Sequence, residues 1–83
     1  MATKIVVYTG NTCSKCKRAK EMLASLPDHI DVELIEKNVN ENVEYEVEML
    51  LLNSVTLPTF VIDGETYRGF DENIGKIMGH LGL

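Results

Sequence analysis

The sequence contains no tryptophan, only two cysteines and two prolines, and no apolar run longer than a few residues. Each shortage excludes something. Ile5–Tyr8, the apolar run nearest the N-terminus, is too short for the roughly 7–15-residue core of a secretory signal. No stretch approaches the roughly 20 apolar residues of a membrane helix. With no export route visible, the expected compartment is the cytoplasm, where lasting structural disulfides are rare. Basic residues are scarce too, 8 Lys and Arg against 13 Asp and Glu, and the net charge of −5 argues against nucleic acid as a partner. There is no low-complexity tract, linker or repeat. With 83 residues, 45% of them hydrophobic and 25% charged, the chain reads as one globular domain, residues 1–83, with a modest core.

What is present is unevenly placed. Lys15, Lys17, Arg18 and Lys20, half of the 8 basic residues, cluster around the cysteines. Between Asp28 and Glu48 the charges are acidic, with Lys37 the one exception. A basic helix beside two cysteines on an acidic chain is a local electrostatic feature.

The periodicities alternate between strand and helix. Lys4–Tyr8 is a β-branched run expected to form a buried central strand. Thr9–Thr12 reads as a turn. Helical spacing then places Cys16, Ala19, Met22, Leu23 and Leu26 on one face, with Pro27 ending the helix. Asp31–Glu36 reads as a second strand. Asn40 is the expected N-cap of a helix running to about Leu52, with Glu41 and Glu44 near its positive end and Val43, Val47, Leu50 and Leu51 as its buried stripe. Thr59–Ile62 and Glu65–Tyr67 are strands joined by Asp63-Gly64, a type I′ hairpin signal. Asp71 is expected to cap a last helix that turns Ile74, Ile77, Met78 and Leu81 inward. The order is β-α-β-α-β-β-α, an α/β fold. Its first two strands should run parallel through a right-handed crossover, and its last two antiparallel.

The chemistry concentrates in Cys13-Ser14-Lys15-Cys16, where a strand ends and a helix begins. The thiolate, not the thiol, attacks disulfides, so a reactive site must lower a cysteine pKa from about 8.5. A helix N-terminus does so through its unsatisfied N–H groups and its dipole, and Lys15 and Lys17 add positive potential. The spacing puts Cys16 one turn on, on the same face as Cys13. Cys13 is therefore the candidate nucleophile, and Cys16 the candidate thiol that resolves a mixed disulfide. A zinc site usually takes four ligands. Here one cysteine pair stands with two isolated histidines, His29 and His80, so no metal is expected.

A second signal is Thr56-Leu57-Pro58-Thr59-Phe60, just before the third strand. Proline is tolerated at a strand's first residue because it lacks only a donor. The functional reading is a cis Leu57–Pro58 bond that faces the dithiol and turns the Leu57 backbone toward an extended substrate.

The assembled pattern resembles the glutaredoxins. VYTGNTCSKCKRAKEML is similar to the family's first strand, dithiol loop and first helix, TLPTF to its TVP loop, VIDGE to its hairpin and RGFDEN to its G-x-D helix entry. The resemblance covers nearly the whole chain. It implies a thioredoxin-like fold, a four-stranded mixed sheet with helices on both faces. It also implies a protein-disulfide reductase with glutathione as co-substrate and no bound cofactor. Thr56, Leu57 and Pro58 would line the groove for the cysteinyl part of glutathione. Phe70 and Asp71 would hold its γ-glutamyl end, core packing and an N-cap being the plain alternatives for these two. Gly69 would supply a positive φ.

Three departures accompany the resemblance. Gly10 stands where glutaredoxins usually carry a base that binds a glutathione carboxylate, which leaves Lys15 and Arg68 as the nearby substitutes. The dithiol motif is CSKC rather than CPYC. YTGNTC and Gly69-Phe70 also resemble the small redoxins that serve ribonucleotide reductase and are reduced by thioredoxin reductase. The expected partners are disulfide-containing proteins, ribonucleotide reductase among them, with glutathione or thioredoxin reductase as donor. The expected state is a monomer without membrane contact. An iron–sulfur cluster shared by two copies, open to glutaredoxins lacking the CPYC proline, is the alternative of another class.

Overall fold

The computed structural model describes residues 3–83. Its elements are β1 (Thr3–Thr9), α1 (Ser14–Ala24), β2 (Val32–Asn38), α2 (Val43–Leu51), β3 (Thr59–Ile62), β4 (Glu65–Arg68) and α3 (Ile74–His80). The four strands form one mixed sheet in the order β2-β1-β3-β4. β1 runs parallel to β2, pairing Thr3 with Val32 through Thr9 with Asn38. β3 is antiparallel to both β1 and β4. Asp63 and Gly64 have φ of 51° and 81°, the two positive values that a type I′ turn requires.

Helices cover both faces. On one side, Ala19 and Leu23 of α1 and Ile77 of α3 pack with Ile5, Val7, Phe60, Ile62 and Phe70. On the other, Met49 of α2 packs with Tyr8 and Val39, supported by Tyr45, Leu52, Leu57 and Val61. β1 contributes to both clusters because a central strand alternates its side chains between two buried faces.

Several local expectations are corrected. Thr9 is the last residue of β1 and is fully buried, not part of the turn. β2 extends to Asn38 and β4 to Arg68. α1 ends at Ala24 rather than at Pro27, because Ser25 turns back and donates its hydroxyl to the Glu21 carbonyl (2.8 Å). Met22 lies outside the packed stripe, 40% exposed. α2 is capped by Asn42, whose side chain accepts from the Glu44 N–H, and not by Asn40. Its buried residue is Met49, whereas Val43, Val47, Leu50 and Leu51 face solvent. α2 carries two apolar stripes, and polar contacts choose between them. Glu48 accepts from Tyr8 Oη (2.9 Å) and Lys37 Nζ (2.7 Å), which turns the Tyr45–Met49 side onto the sheet. Asp71 precedes α3 by too much to cap it; the cap position is Asn73.

Two carboxylates are held by these contacts in their charged form. Lys20 and then Thr9 hold the Glu36 carboxyl below its usual 4.5, and Lys37 and then Tyr8 do the same for Glu48. Burial, followed by the Glu48 contact, pushes the Tyr8 hydroxyl up to about 12. Above pH 4.5 both glutamates are ionised folded and unfolded, and their contribution to stability is complete. Below it the unfolded chain takes up protons first, so the contribution is lost as pH falls through the depressed folded values. At the alkaline end Tyr8 ionises first in the unfolded chain, so stability falls between pH 10 and about 12. The urea midpoint is thus expected to decline at both ends, with Glu36→Gln and Glu48→Gln flattening the acid limb. A parent midpoint that holds level below pH 4.5 would contradict these contacts.

Candidate active site

β1 ends at Thr9, and Gly10–Thr12 carry the chain from the C-terminal end of this interior strand to α1. Cys13 is the N-cap of α1, with extended backbone (φ −100°, ψ 100°). Its Sγ accepts the Cys16 N–H at 3.1 Å, so one orphan donor of the helix start is aimed at this sulfur. The first turn of α1 holds no acidic residue, while Lys15 and Lys17 are exposed there. Helix dipole and lysines therefore act in the same direction, toward an anion on Cys13.

Cys13 and Cys16 are joined by a disulfide, with Cα atoms 5.2 Å apart. That spacing closes the bond without backbone movement. The two cysteines differ in burial: Cys13 is half-buried, whereas Cys16 is 1% exposed among the core residues of α1. In front of the pair lies an open groove of about 530 Å³, lined by Gly10–Ser14, Cys16, Lys17 and Lys20.

Three asparagines shape the loop: Asn11 and Asn38, which the sequence reading did not single out, and Asn40, which it placed at the start of α2. Asn40 Oδ1 accepts the Asn11 N–H (2.7 Å), and Asn38 Nδ2 donates to Asn11 Oδ1 (2.9 Å). Asn40 is occupied here rather than as the cap of α2. Behind the groove, Glu36 accepts from Thr9 (2.7 Å) and from Lys20 (2.8 Å). The only legible sign of this set is polar side chains at a strand end beside a CxxC loop.

The second loop meets the first through Leu57. A Cβ built on Gly10 would come within 2.7 Å of Leu57 Cδ1 and 3.0 Å of Asn40 Oδ1. Leu57–Pro58 is cis, as the sequence suggested. Pro58 is buried, and its carbonyl accepts the Gly69 N–H (2.8 Å). Ser54 and Thr59, both fully buried, share a hydroxyl hydrogen bond of 2.7 Å. Thr59 also donates to the Thr56 carbonyl, so the turn is held from beneath.

The chain that carries this disulfide is similar to known proteins. The glutaredoxin family profile matches residues 5–67. The chain belongs to the glutaredoxin family. Its structure is similar to the crystal structure of the thioredoxin-like protein BC3987, with a TM-score of 0.78 and 35% identity over 93% of this chain and 99% of that one. It is also similar in fold to glutaredoxin 1 from Francisella tularensis complexed with cacodylate, with a TM-score of 0.65 and 22% identity over 94% of this chain and 99% of that one. No curated protein matches. A glutaredoxin domain with a CxxC pair has a thiol–disulfide redox role.

The remaining residues expected at a glutaredoxin glutathione site have the following places in the structure. Arg68 is exposed and spends two of its donors on the backbone: Nε donates to the Asn53 carbonyl (3.0 Å) and Nη2 to the Leu52 carbonyl (2.7 Å). It thereby satisfies the carbonyl of Leu52, the C-cap of α2, and that of the residue after it. Phe70 is 1% exposed and packs on Phe60, ring centroids 5.9 Å apart, so its side chain belongs to the core. Gly69 has the positive φ expected of it, 93°, and Glu72 occupies the space a side chain would need. Asp71 is exposed and pairs with Arg18 of α1 at 3.3 Å. Thr56 is exposed beside Leu57, and Lys15 lies outside the groove lining that Lys17 and Lys20 share. Among the described residues no helix is long and apolar enough to cross a membrane, and no cluster of metal-ligating side chains forms.

Proposed function

We propose that this glutaredoxin reduces disulfides of partner proteins, with Cys13 as nucleophile and Cys16 as resolving thiol. The observation that carries the reading is the asymmetry of the pair, a half-buried N-cap cysteine whose sulfur receives the N–H of a fully buried second cysteine. The Cys13 thiolate attacks one sulfur of the substrate disulfide. A Cys13–substrate bond forms, the substrate S–S bond breaks, and the departing thiolate takes a proton from water. Cys16 then loses its proton and attacks Cys13. The second substrate thiol is released and the Cys13–Cys16 disulfide closes, so two electrons have moved to the substrate. Leu57 and Pro58, beside the dithiol loop, suit the edge against which an extended substrate chain would lie.

The disulfide must then be reduced again, and glutathione and thioredoxin reductase are the two candidate donors. The engaged Arg68 and the side-chain-free Gly10 favour the reductase. A charged hydrogen bond missing from the glycine carboxylate of glutathione weakens binding by about 1.5–3 kcal/mol, or roughly 10- to 150-fold. This pairing also fits ribonucleotide reductase as the substrate protein. The oxidised protein is expected to be reduced faster by thioredoxin reductase with NADPH than by glutathione. Arg68→Ala is expected to leave the glutathione rate unchanged and to lower stability by about 1 kcal/mol through the freed Leu52 and Asn53 carbonyls. Faster reduction by glutathione, slowed in Arg68→Ala, overturns the donor reading and leaves the dithiol chemistry intact.

A further inference from the structure

Of the seven large hydrophobic residues exposed among the described residues, five fall within one stretch of chain: Val43 (71% exposed), Val47 (50%), Leu50 (48%), Leu51 (78%) and Val55 (81%). The first four recur at the spacing of one helix face, and Val55 follows just beyond the end of α2. The opposite side of α2 is already covered, because Tyr45, Met49 and Leu52 pack on the sheet. α2 is therefore apolar on two sides with one side partnered. A contiguous exposed stripe of this kind marks an interaction surface.

The borders of the stripe say what fits it. Glu46 stands three residues after Val43 and four before Leu50, along one border; Glu44 stands three before Val47, along the other. Both are exposed, and neither makes a salt bridge among the described residues. Glu48, by contrast, is engaged with Lys37 and Tyr8 on the side toward the sheet. A second copy laid face to face would bring these acidic borders against each other, and an anionic lipid surface would be repelled by them. A helix with its own apolar stripe bordered by lysine or arginine would match both the shape and the charge.

We propose that the exposed face of α2, Val43 to Val55, docks a basic-bordered amphipathic helix of a partner protein. The surface is independent of the dithiol chemistry, since none of its residues lines the Cys13–Cys16 groove. In the chain it is followed directly by Thr56-Leu57-Pro58.

Two synthetic helical peptides with the same leucine stripe test this, one bordered by lysines and one by glutamates. They are titrated into the full chain, with amide chemical shifts and fluorescence anisotropy as readouts. The lysine-bordered peptide should perturb residues 43–55 and bind roughly tenfold or more tightly than the glutamate-bordered one, less so at high salt. Val47→Glu and Leu51→Glu, both exposed positions, should weaken it by roughly tenfold or more. Both variants should keep the parent rate of exchange with dithiothreitol, which separates a failure of docking from a failure of the redox reading. Equal binding of the two peptides, no binding of the lysine-bordered peptide, or shifts centred elsewhere overturns the proposal. So does parent self-association that Leu51→Glu abolishes, or adsorption of this face to phosphatidylcholine vesicles.

Discussion

Replacing Cys13 with serine is expected to bring disulfide exchange down to the uncatalysed rate, whereas replacing Cys16 should stop the reaction half-way. The hydroxyl of Cys13→Ser does not ionise near neutral pH, so the donor that Cys16 N–H directs at Cys13 Sγ, at 3.1 Å, has no anion to stabilise. Cys16→Ser keeps the nucleophile at the α1 N-cap and removes the group that attacks the mixed disulfide. Insulin reduction should be absent in both variants. Mass spectrometry should find a covalent substrate adduct on Cys13 in Cys16→Ser alone. An adduct on Cys16 in the Cys13→Ser protein would reverse the assignment. Lys15→Glu should slow the parent reaction by raising the Cys13 pKa, an effect that shrinks with salt because Lys15 is exposed.

The largest effect on stability is expected at Phe70. Its ring is fully buried and packs against the equally buried Phe60. Truncating a buried phenylalanine to alanine costs about 3–5 kcal/mol, against a total of roughly 5–15 kcal/mol for a domain, and less for small ones. Phe70→Ala should therefore lower Tm by on the order of 15 °C or more. Leu51→Ala, at a position 78% exposed, should change stability by less than about 0.5 kcal/mol. Phe70 admits a core reading and a ligand reading from sequence, and this measurement separates them. A Phe70→Ala protein as stable as its parent, but impaired in substrate binding, would contradict the packing described.

How far each feature can be read from the sequence depends on whether one interaction or several decide it. The β3–β4 hairpin is legible because Asp63-Gly64 alone dictates a turn with two positive φ values. The dithiol is legible because the end of β1, the cysteine spacing and the periodicity of α1 agree. The orientation of α2 is not, since both of its stripes satisfy a helical period. The choice falls to Glu48 reaching Tyr8 and Lys37 on other elements, contacts 40 and 11 residues away in the chain. The backbone contacts of Arg68 are illegible for the same reason: they are made to carbonyls of Leu52 and Asn53 that the sequence does not bring near it. Asp71 resembles a cap by type and position. The positive φ at Gly69 and the turn after Phe70 delay α3 to Ile74 and hand the cap position to Asn73.

The central claim is that Cys13, and not Cys16, is the attacking sulfur. The reduced protein treated briefly with iodoacetamide at neutral pH and mapped by peptide mass tests it most directly. A thiolate-stabilised, half-exposed Cys13 should be alkylated faster than the buried Cys16 by about tenfold or more. Equal rates, or faster modification of Cys16, would contradict the account.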